Sequence, residues 1–268
     1  MKAEFNYLLG DSRQESARLS RQSQLWDPVT FALFDRLKLK KGMRVLEIGP
    51  GRGSIYFELR KRVRGSIDAV ERSPVFARSL AELSKKDSFG EGQVWISDLI
   101  DSKLPRNHYD LIFARWVFLF LPKPQAHLKK LLHSLKPGGR LVIQDYHRET
   151  LGMVPTPRHW QEFLAADQAF FKSQGGNASV GNLIPDLLRE LGVDQVQVEV
   201  HIKTGHPGSA TWNWLTDYFM MVLDRYSKFR PFSKSKAQAL RQDWKAYSQE
   251  PSSVLIAPTL VDIVATKS

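Results

Sequence analysis

The sequence predicts an α/β fold with a mostly parallel sheet between helices, and three observations support this prediction. Short apolar segments rich in β-branched residues alternate with segments of helical periodicity over about residues 42–146. A glycine-rich loop, residues 49–53, joins the first of these strands to a helix. Acidic residues follow later strands, where parallel strands form a common ligand-binding edge. Together these features predict a nucleotide-type binding site.

The segment Arg44–Ile55 contains the first strand and this loop. Dinucleotide-binding loops favour the spacing G-x-G-x-x-G, whereas the chain reads Glu47-x-Gly49-x-Gly51-x-Gly53, which disfavours a nicotinamide dehydrogenase. The glycines permit a tight turn and a close approach of the ligand. A carboxylate before the first glycine repels phosphate and suits an ammonium or sulfonium group. The loop alone is also compatible with a turn in another α/β protein.

Acidic residues follow the second and third strands in the order that a nucleoside ligand requires. The second strand, Ser66–Val70, ends in Glu71, whose carboxylate can accept hydrogen bonds from both ribose hydroxyls. The third strand, Gln93–Ser97, precedes Asp98 and Leu99, which suit an adenine amino group and ring. An aspartate after a strand is usually only a turn residue. Here the glycine loop, Glu71 and Asp98 follow three successive strands in the expected order, which strengthens the prediction of a nucleoside-binding site.

The later strands complete a pattern that resembles a known family. A fourth strand, Tyr109–Ala114, leads into Arg115–Pro122, a helix follows over Pro124–Leu135, and a turn precedes the strand Arg140–Gln144. This order closely resembles the core of the class I S-adenosylmethionine-dependent methyltransferases over about residues 42–146. The N-terminal segment is also similar to that of small-molecule methyltransferases of this superfamily.

The resemblance implies a Rossmann-like sheet of seven strands, mostly parallel with an antiparallel last strand, and helical lid insertions. It implies S-adenosyl-L-methionine as cofactor, S-adenosyl-L-homocysteine as product and a small organic acceptor of O-, C- or N-methylation. We expect no metal, because no acidic cluster resembles a magnesium site. The expected cofactor-binding residues are Arg18, Gln22, Glu47, Gly49, Pro50, Gly51, Gly53, Glu71, Arg72, Asp98, Leu99, Ala114, Arg115 and Trp116.

One domain is expected to span the whole chain. Its N-terminal region contains a helix over Glu15–Gln24 and a second helix capped by Asp27, with Pro28 at its first position. The strand Gln195–His201 separates two insertions, and Thr259–Thr266 is the last strand. The expected segments are cofactor-covering helices at 1–40, a cofactor-binding core at 41–146, lid and substrate insertions at 147–192 and 202–250, and a terminal strand at 254–268.

The insertions are rich in aromatic residues, which the resemblance places around the acceptor. Orientation alone accelerates an in-line methyl transfer, but a hydroxyl or acidic carbon acceptor must also lose a proton. His147, just past the fifth strand, is the first candidate for the base, with Tyr146 beside it as a further catalytic residue. Aromatic residues are individually more often core than ligand contacts. The expected substrate pocket comprises Trp26, Trp160, Phe163, Asn177, Trp214 and Tyr218.

Composition leaves two alternatives open. The net charge of +11 and the pI near 9.8 suit an RNA methyltransferase, although the basic residues are scattered, which favours a solvated surface. The segment Ala114–Val117 also lacks the Asp/Asn-Pro-Pro-aromatic motif typical of nucleic-acid amino-methyltransferases. The other alternative is a non-catalytic protein that retains the fold and acts through a partner.

The sequence contains no cysteine, which excludes disulfides, thiolate metal sites and cysteine nucleophiles. No apolar segment is long enough to span a membrane, and the N-terminus has no apolar signal core. A cytoplasmic location is the resulting expectation. The oligomeric state is open.

Overall fold

The computed structural model of the protein describes residues 13–86, 89 and 92–268, with side chains from residue 18 onward. The first residues of the predicted N-terminal segment therefore lie outside the described residues. The helices are α1 (Arg13–Leu37), α2 (Ser54–Val63), α3 (Pro74–Ser84), α4 (Pro124–Ser134), α5 (Trp160–Ser173), α6 (Ile184–Glu190), α7 (Ala210–Tyr226) and α8 (Lys234–Tyr247). The strands are β1 (Val45–Ile48), β2 (Ile67–Glu71), β3 (Val94–Ile96), β4 (Tyr109–Arg115), β5 (Leu135–His147), β6 (Gly152–Val154), β7 (Gln195–His201), β8 (Thr204–Gly205), β9 (Val254–Ile256) and β10 (Thr259–Thr266).

Seven strands form the main sheet in the order β3-β2-β1-β4-β5-β10-β7. The strands β3, β2, β1, β4 and β5 run parallel, whereas β10 pairs antiparallel with both β5 and β7. The predicted mostly parallel sheet with an antiparallel last strand is confirmed. Because the strand order reverses between β1 and β4, a crevice opens at the carboxyl ends of these strands.

Buried side chains form a cluster on each face of this sheet. Successive strand residues point to opposite faces, so Val45 and Leu111 belong to one cluster while Leu46 and Ile112 belong to the other. The first cluster packs against α2, α3 and the end of α1, and the second against α4, α6 and the inserted helices. None of the helices among the described residues combines the length and apolar character of a membrane span.

The prediction of two N-terminal helices separated at Asp27 is wrong, because α1 continues through Pro28. Proline inside a helix removes a hydrogen bond and costs about 3 kcal/mol. Fully buried Trp26 and Phe34 anchor the helix on both sides of the proline, and we attribute its continuity to this packing. Asp27 is not a cap; it forms an ion pair with Arg115 at 2.7 Å.

The predicted last strand, Thr259–Thr266, is confirmed as β10, but the terminal segment 254–268 contains a second strand. The segment Val254–Ile256 is β9, which pairs with β6 and β8 in a separate sheet of three strands. Pro258 lies between β9 and β10 and has no backbone N–H for a strand ladder, which explains the break. The turn predicted before Arg140 is included in β5, as an irregularity between the pairs Tyr109–Leu135 and Leu111–Arg140.

Candidate functional site

A cavity of about 450 Å³ opens at the carboxyl ends of the parallel strands, with α1, α5 and α7 contributing to its walls. Most of the expected cofactor-binding residues line it, together with several of the aromatic residues expected around the acceptor. The predicted site residues that line it are Arg18, Gln22, Glu47, Gly49, Pro50, Gly51, Glu71, Arg72, Asp98, Leu99, Arg115, Trp116, Tyr146, Trp214 and Tyr218.

Gly53, Ala114 and Asn177 do not line the cavity. A Cβ at Gly53 would lie 2.5 Å from Leu80 Cδ2, so this glycine serves helix packing. Ala114 is fully buried within β4. The side chain of Asn177 accepts a hydrogen bond from the backbone N–H of Ser179 at 2.8 Å and thereby shapes its own loop.

The expected pocket residues Trp160, Phe163 and Trp26 also lie outside the cavity lining. Trp160 and Phe163 pack on Phe219, with ring centroids 5.5 and 5.0 Å apart. Trp26 is fully buried behind Trp214, with ring centroids 6.2 Å apart. These three residues are core residues that support the walls, because each is covered by another aromatic ring.

His147 does not line the cavity, although Tyr146 next to it does. Successive strand residues point to opposite sides, so Tyr146 and His147 face different surroundings. The Nε2 atom of His147 lies 3.8 Å from Glu149 Oε2. The structure therefore does not bring the residue expected to act as base into the cavity.

The glycine loop lines the cavity at Gly51, where the backbone has a φ of +55°. A Cβ at this position would meet no protein atom within 4 Å. The buried carboxyl group of Glu71 holds the loop: Oε2 accepts the N–H of Gly51 at 3.0 Å, and Oε1 accepts the N–H of Ser73 at 2.7 Å. Glu71 is thus a buried residue that braces the loop.

Glu47 is buried in β1, and its Oε2 has no hydrogen-bond partner among the described residues. Burial raises its pKa to about 8, and the nearby guanidinium of Arg115 opposes this rise. A carboxyl group with one free oxygen on a cavity wall is a ready site for a cationic ligand, because binding would stabilise the charged form.

We expect Glu47 to make folding stability pH-dependent. Its pKa is 4.5 in the reference state and about 8 in the folded protein, so only the folded state keeps the proton between these values. Its contribution to stability is complete below the lower pKa and is lost as the pH rises through the upper one, with a slope of at most about 1.4 kcal/mol per pH unit. In urea titrations, the stability of Glu47→Gln relative to wild type should rise with pH. A constant difference would contradict this pKa.

Arg115 begins a chain of hydrogen bonds that crosses the sheet. Its Nη1 donates to Thr30 Oγ1 at 2.8 Å, and the Thr30 hydroxyl donates to Gln144 Oε1 at 2.6 Å. Gln144 Nε2 donates to Asp262 Oδ1 at 2.7 Å, and Asp262 Oδ2 lies 2.8 Å from His201 Nε2. We call this the Arg115–His201 chain. It connects the cavity wall to the outer strand β7.

At the outer end of this chain, two carboxylates and a histidine lie beside the guanidinium of Arg36. Glu199, His201 and Asp262 place ligand atoms within 4.8 Å of one another, an arrangement that could hold a metal ion. Arg36 Nη2 lies 2.5 Å from Glu199 and 3.6 Å from Asp262. The arginine already supplies the positive charge, so we assign no metal there.

Aromatic residues form the wall beyond the glycine loop. Trp116 stacks on Tyr146 with ring centroids 5.6 Å apart, and Phe120 contacts Phe171 at 5.7 Å. Sequence reasoning missed Arg148, which also lines this wall. Arg148 begins the 3-10 turn that follows β5, two residues after Tyr146. A basic residue so close to the carboxyl end of a strand is the signal that could have identified it.

Comparison with known proteins gives these features a context. A family model described as a methyltransferase domain matches residues 39–185. Phosphoethanolamine N-methyltransferase 3 of Arabidopsis thaliana is 24% identical over 194 residues, which are 71% of this chain and 34% of that protein. Protein-L-isoaspartate O-methyltransferase of Pyrococcus horikoshii is 30% identical over 150 residues, which are 54% of this chain and 57% of that protein.

A solved structure shows the same fold. Phosphoethanolamine N-methyltransferase 2 of Haemonchus contortus, in complex with phosphomonomethylethanolamine and S-adenosylhomocysteine, is similar with a TM-score of 0.57 and 17% identity. The similarity covers 90% of this chain and 53% of that one. The matched region spans between 34% and 57% of the length of the first curated relatives.

Proposed function

Because this chain belongs to the methyltransferase domain family, among the class I S-adenosylmethionine-dependent methyltransferases, we propose that it transfers a methyl group to a small organic acceptor. S-adenosyl-L-methionine is the proposed methyl donor, and S-adenosyl-L-homocysteine is the proposed product. The relatives include both an N- and an O-methyltransferase, so the proposal extends to either kind of methylated atom.

The observation that carries this proposal is the space beside Gly51, on a loop flanked by buried carboxyl groups. A Cβ there would meet no protein atom, which leaves room for a ligand. The unpartnered oxygen of Glu47 suits the ammonium group of S-adenosylmethionine, because the positive charge would favour the ionised carboxylate. The residues of this end of the cavity therefore fit the proposed cofactor.

Each strand end has a role within this proposal. Glu71, besides bracing the loop, accepts hydrogen bonds from the ribose, and Asp98 accepts one from the adenine amino group. Leu99 packs on the adenine ring. Arg18 and Gln22 of α1 cover the cofactor from the other side of the cavity.

We further propose that catalysis rests on positioning. When bound, S-adenosylmethionine supplies an activated methyl group on its sulfonium. Burial raises the pKa of Tyr146, so its hydroxyl stays protonated and acts as a donor, not as a base. Among the described lining residues on β4, β5, α5 and α7, none carries a carboxylate or an imidazole. The walls would therefore act by holding the acceptor in line and excluding water.

Calorimetry followed by a transfer assay tests the proposed function. We expect S-adenosylhomocysteine to bind and NAD not to bind, and we expect labelled methyl groups from S-adenosylmethionine to appear on a component of a metabolite extract. Tighter binding of NAD would contradict the cofactor assignment. Binding of S-adenosylhomocysteine without any transfer would instead favour the non-catalytic alternative.

Replacing Glu71 by alanine should weaken the binding of S-adenosylhomocysteine by ~1–3 kcal/mol, the cost of losing a hydrogen-bonded charged group. The change removes the proposed ribose contact and also the brace on Gly51. Calorimetry on Glu71→Ala measures the loss, and Glu82→Ala on the exposed side of α3 is the matched control. An unchanged dissociation constant would argue against the ribose assignment.

The net charge of +11 keeps an RNA substrate as the second candidate. An RNA acceptor would show binding that weakens steeply with salt, because phosphate contacts release counterions. A gel-shift titration at several salt concentrations distinguishes it from a small acceptor. The cytoplasmic location stays a prediction.

A further inference from the structure

Arg148 presents a positively charged edge to the cavity. Its side chain is only 7% exposed, and Nε and Nη2 donate to the two oxygens of Asp167 at 2.9 and 2.7 Å. Nη2 also donates to the hydroxyl of Tyr218 at 2.7 Å. Nη1 makes no hydrogen bond to any described residue, and Arg148 lines the cavity. One side of the guanidinium is therefore fixed, while the other is available to a ligand.

Tyr146 offers a second donor, and its neighbours determine the direction of its hydrogen bonds. Arg18 Nη1 lies 2.8 Å from Gln22 Oε1, and because arginine only donates, this atom of the amide must be the oxygen. The amide nitrogen of Gln22 then donates to the Tyr146 oxygen at 3.1 Å. The hydroxyl proton of Tyr146 is left for another acceptor.

Two donors thus lie on the same segment of chain, Tyr146 and Arg148. The carboxylate of Asp167 beside them already accepts from Nε and Nη2 of Arg148, and Asp167 does not line the cavity. The carboxylates that line the described cavity are Glu47, Glu71 and Asp98, which belong to the ends of β1, β2 and β3. The remaining wall is aromatic, with Trp116 stacked on Tyr146. This end of the cavity is complementary to a flat apolar group that carries negative charge.

We propose that the methyl acceptor carries an anionic oxygen, on a carboxylate or a phosphate, which binds to Arg148 Nη1 and to the hydroxyl of Tyr146. This proposal rests on the proposed function, since it assigns the substrate class of the same cavity. The apolar remainder of the acceptor packs on Trp116 and Trp214. Arg148 and Tyr146 are accordingly binding and specificity-determining residues.

The test compares small probes by calorimetry on the full chain saturated with S-adenosylhomocysteine. The anionic probes are benzoate and phenyl phosphate, and the neutral probe of matched shape is benzamide. We expect the better anion to bind roughly tenfold or more tightly than benzamide, as expected for a charge-assisted hydrogen bond. Preference for benzoate identifies the group as a carboxylate, and preference for phenyl phosphate identifies it as a phosphate.

Two variants locate the binding site. Tyr146→Phe removes only the hydroxyl and should weaken the binding of the anionic probe roughly three- to tenfold. Its control is Tyr56→Phe, which deletes a buried, hydrogen-bonded hydroxyl away from the cavity. Combining Arg148→Gln with Asp167→Asn removes the charge without leaving a buried partner unpaired, and it should abolish the preference for anions.

The outcomes separate this proposal from the proposed function. If S-adenosylhomocysteine does not bind to the wild-type chain, the proposed function fails and this proposal falls with it. If S-adenosylhomocysteine binds but neither anion binds more tightly than benzamide, only the acceptor class is overturned. A loss of S-adenosylhomocysteine affinity in Tyr146→Phe, with anion binding unchanged, would also overturn it, because these donors would then serve the cofactor. Should the double variant not fold, the Tyr146 comparison decides.

Discussion

Gly51→Val should abolish detectable binding of S-adenosylhomocysteine while the protein remains folded. A Cβ at this position would meet no protein atom within 4 Å, so the valine side chain would extend into the space proposed for the cofactor. Forcing extra carbon atoms into a packed contact costs ~1–3 kcal/mol or more. Calorimetry measures the affinity, and thermal unfolding checks the fold.

A matched control separates this steric effect from backbone strain. Gly51 has a φ of +55°, and a β-branched residue in that region costs ~1–2 kcal/mol wherever it occurs. Gly138 has a φ of +73° and equally open space at its Cβ position, but it does not line the cavity. Gly138→Val should lose similar stability and bind S-adenosylhomocysteine normally. Equal loss of binding in both variants would show that the effect is not local.

Asp167→Ala should destabilise the folded protein by ~3–5 kcal/mol, because it leaves a buried charge without its partner. The carboxylate accepts two hydrogen bonds from Arg148 and one each from the hydroxyls of Tyr218 and Tyr226. Its side chain is only 3% exposed, so water cannot replace these bonds without opening the core. Urea unfolding measures the free energy of unfolding.

The corresponding surface substitution is Asp224→Ala. Asp224 forms an ion pair with Arg241 at 2.7 Å, but its side chain is 80% exposed. Exposed pairs contribute about 0–1 kcal/mol, because solvent screens the charges. Similar losses of stability in Asp167→Ala and Asp224→Ala would show that the buried ion pair does not hold α5 in place.

The sequence predicted the glycine loop and the strands of the parallel core well, because these features depend on local signals. Glycine spacing, strand length and the acid that ends β2 are properties of adjacent residues. Pro28 shows the limit of such signals: it predicts a helix start, but burial of Trp26 and Phe34 on either side of it maintains a continuous helix. Tertiary packing outweighed a correct local preference.

Residues of the acceptor end were harder to predict, because their roles depend on distant partners. Arg148 is fixed by Asp167 and Tyr218, which are 19 and 70 residues away along the chain. For Trp160 and Phe163, the sequence showed aromatic side chains but not whether they face the cavity or the core. Only their contacts with α7 identify them as core residues.

The Arg115–His201 chain has a consequence for how this protein varies during evolution. Thr30, Gln144 and Asp262 are each nearly fully buried, and each link joins a fixed donor to a fixed acceptor. Losing one partner leaves a buried polar group without a hydrogen bond, which lowers the free energy of unfolding by about 1–3 kcal/mol. Replacing both partners with apolar groups of the same shape is nearly neutral. Related sequences should therefore exchange these positions jointly, so that an apolar residue at the position of Gln144 accompanies apolar residues at those of Thr30 and Asp262.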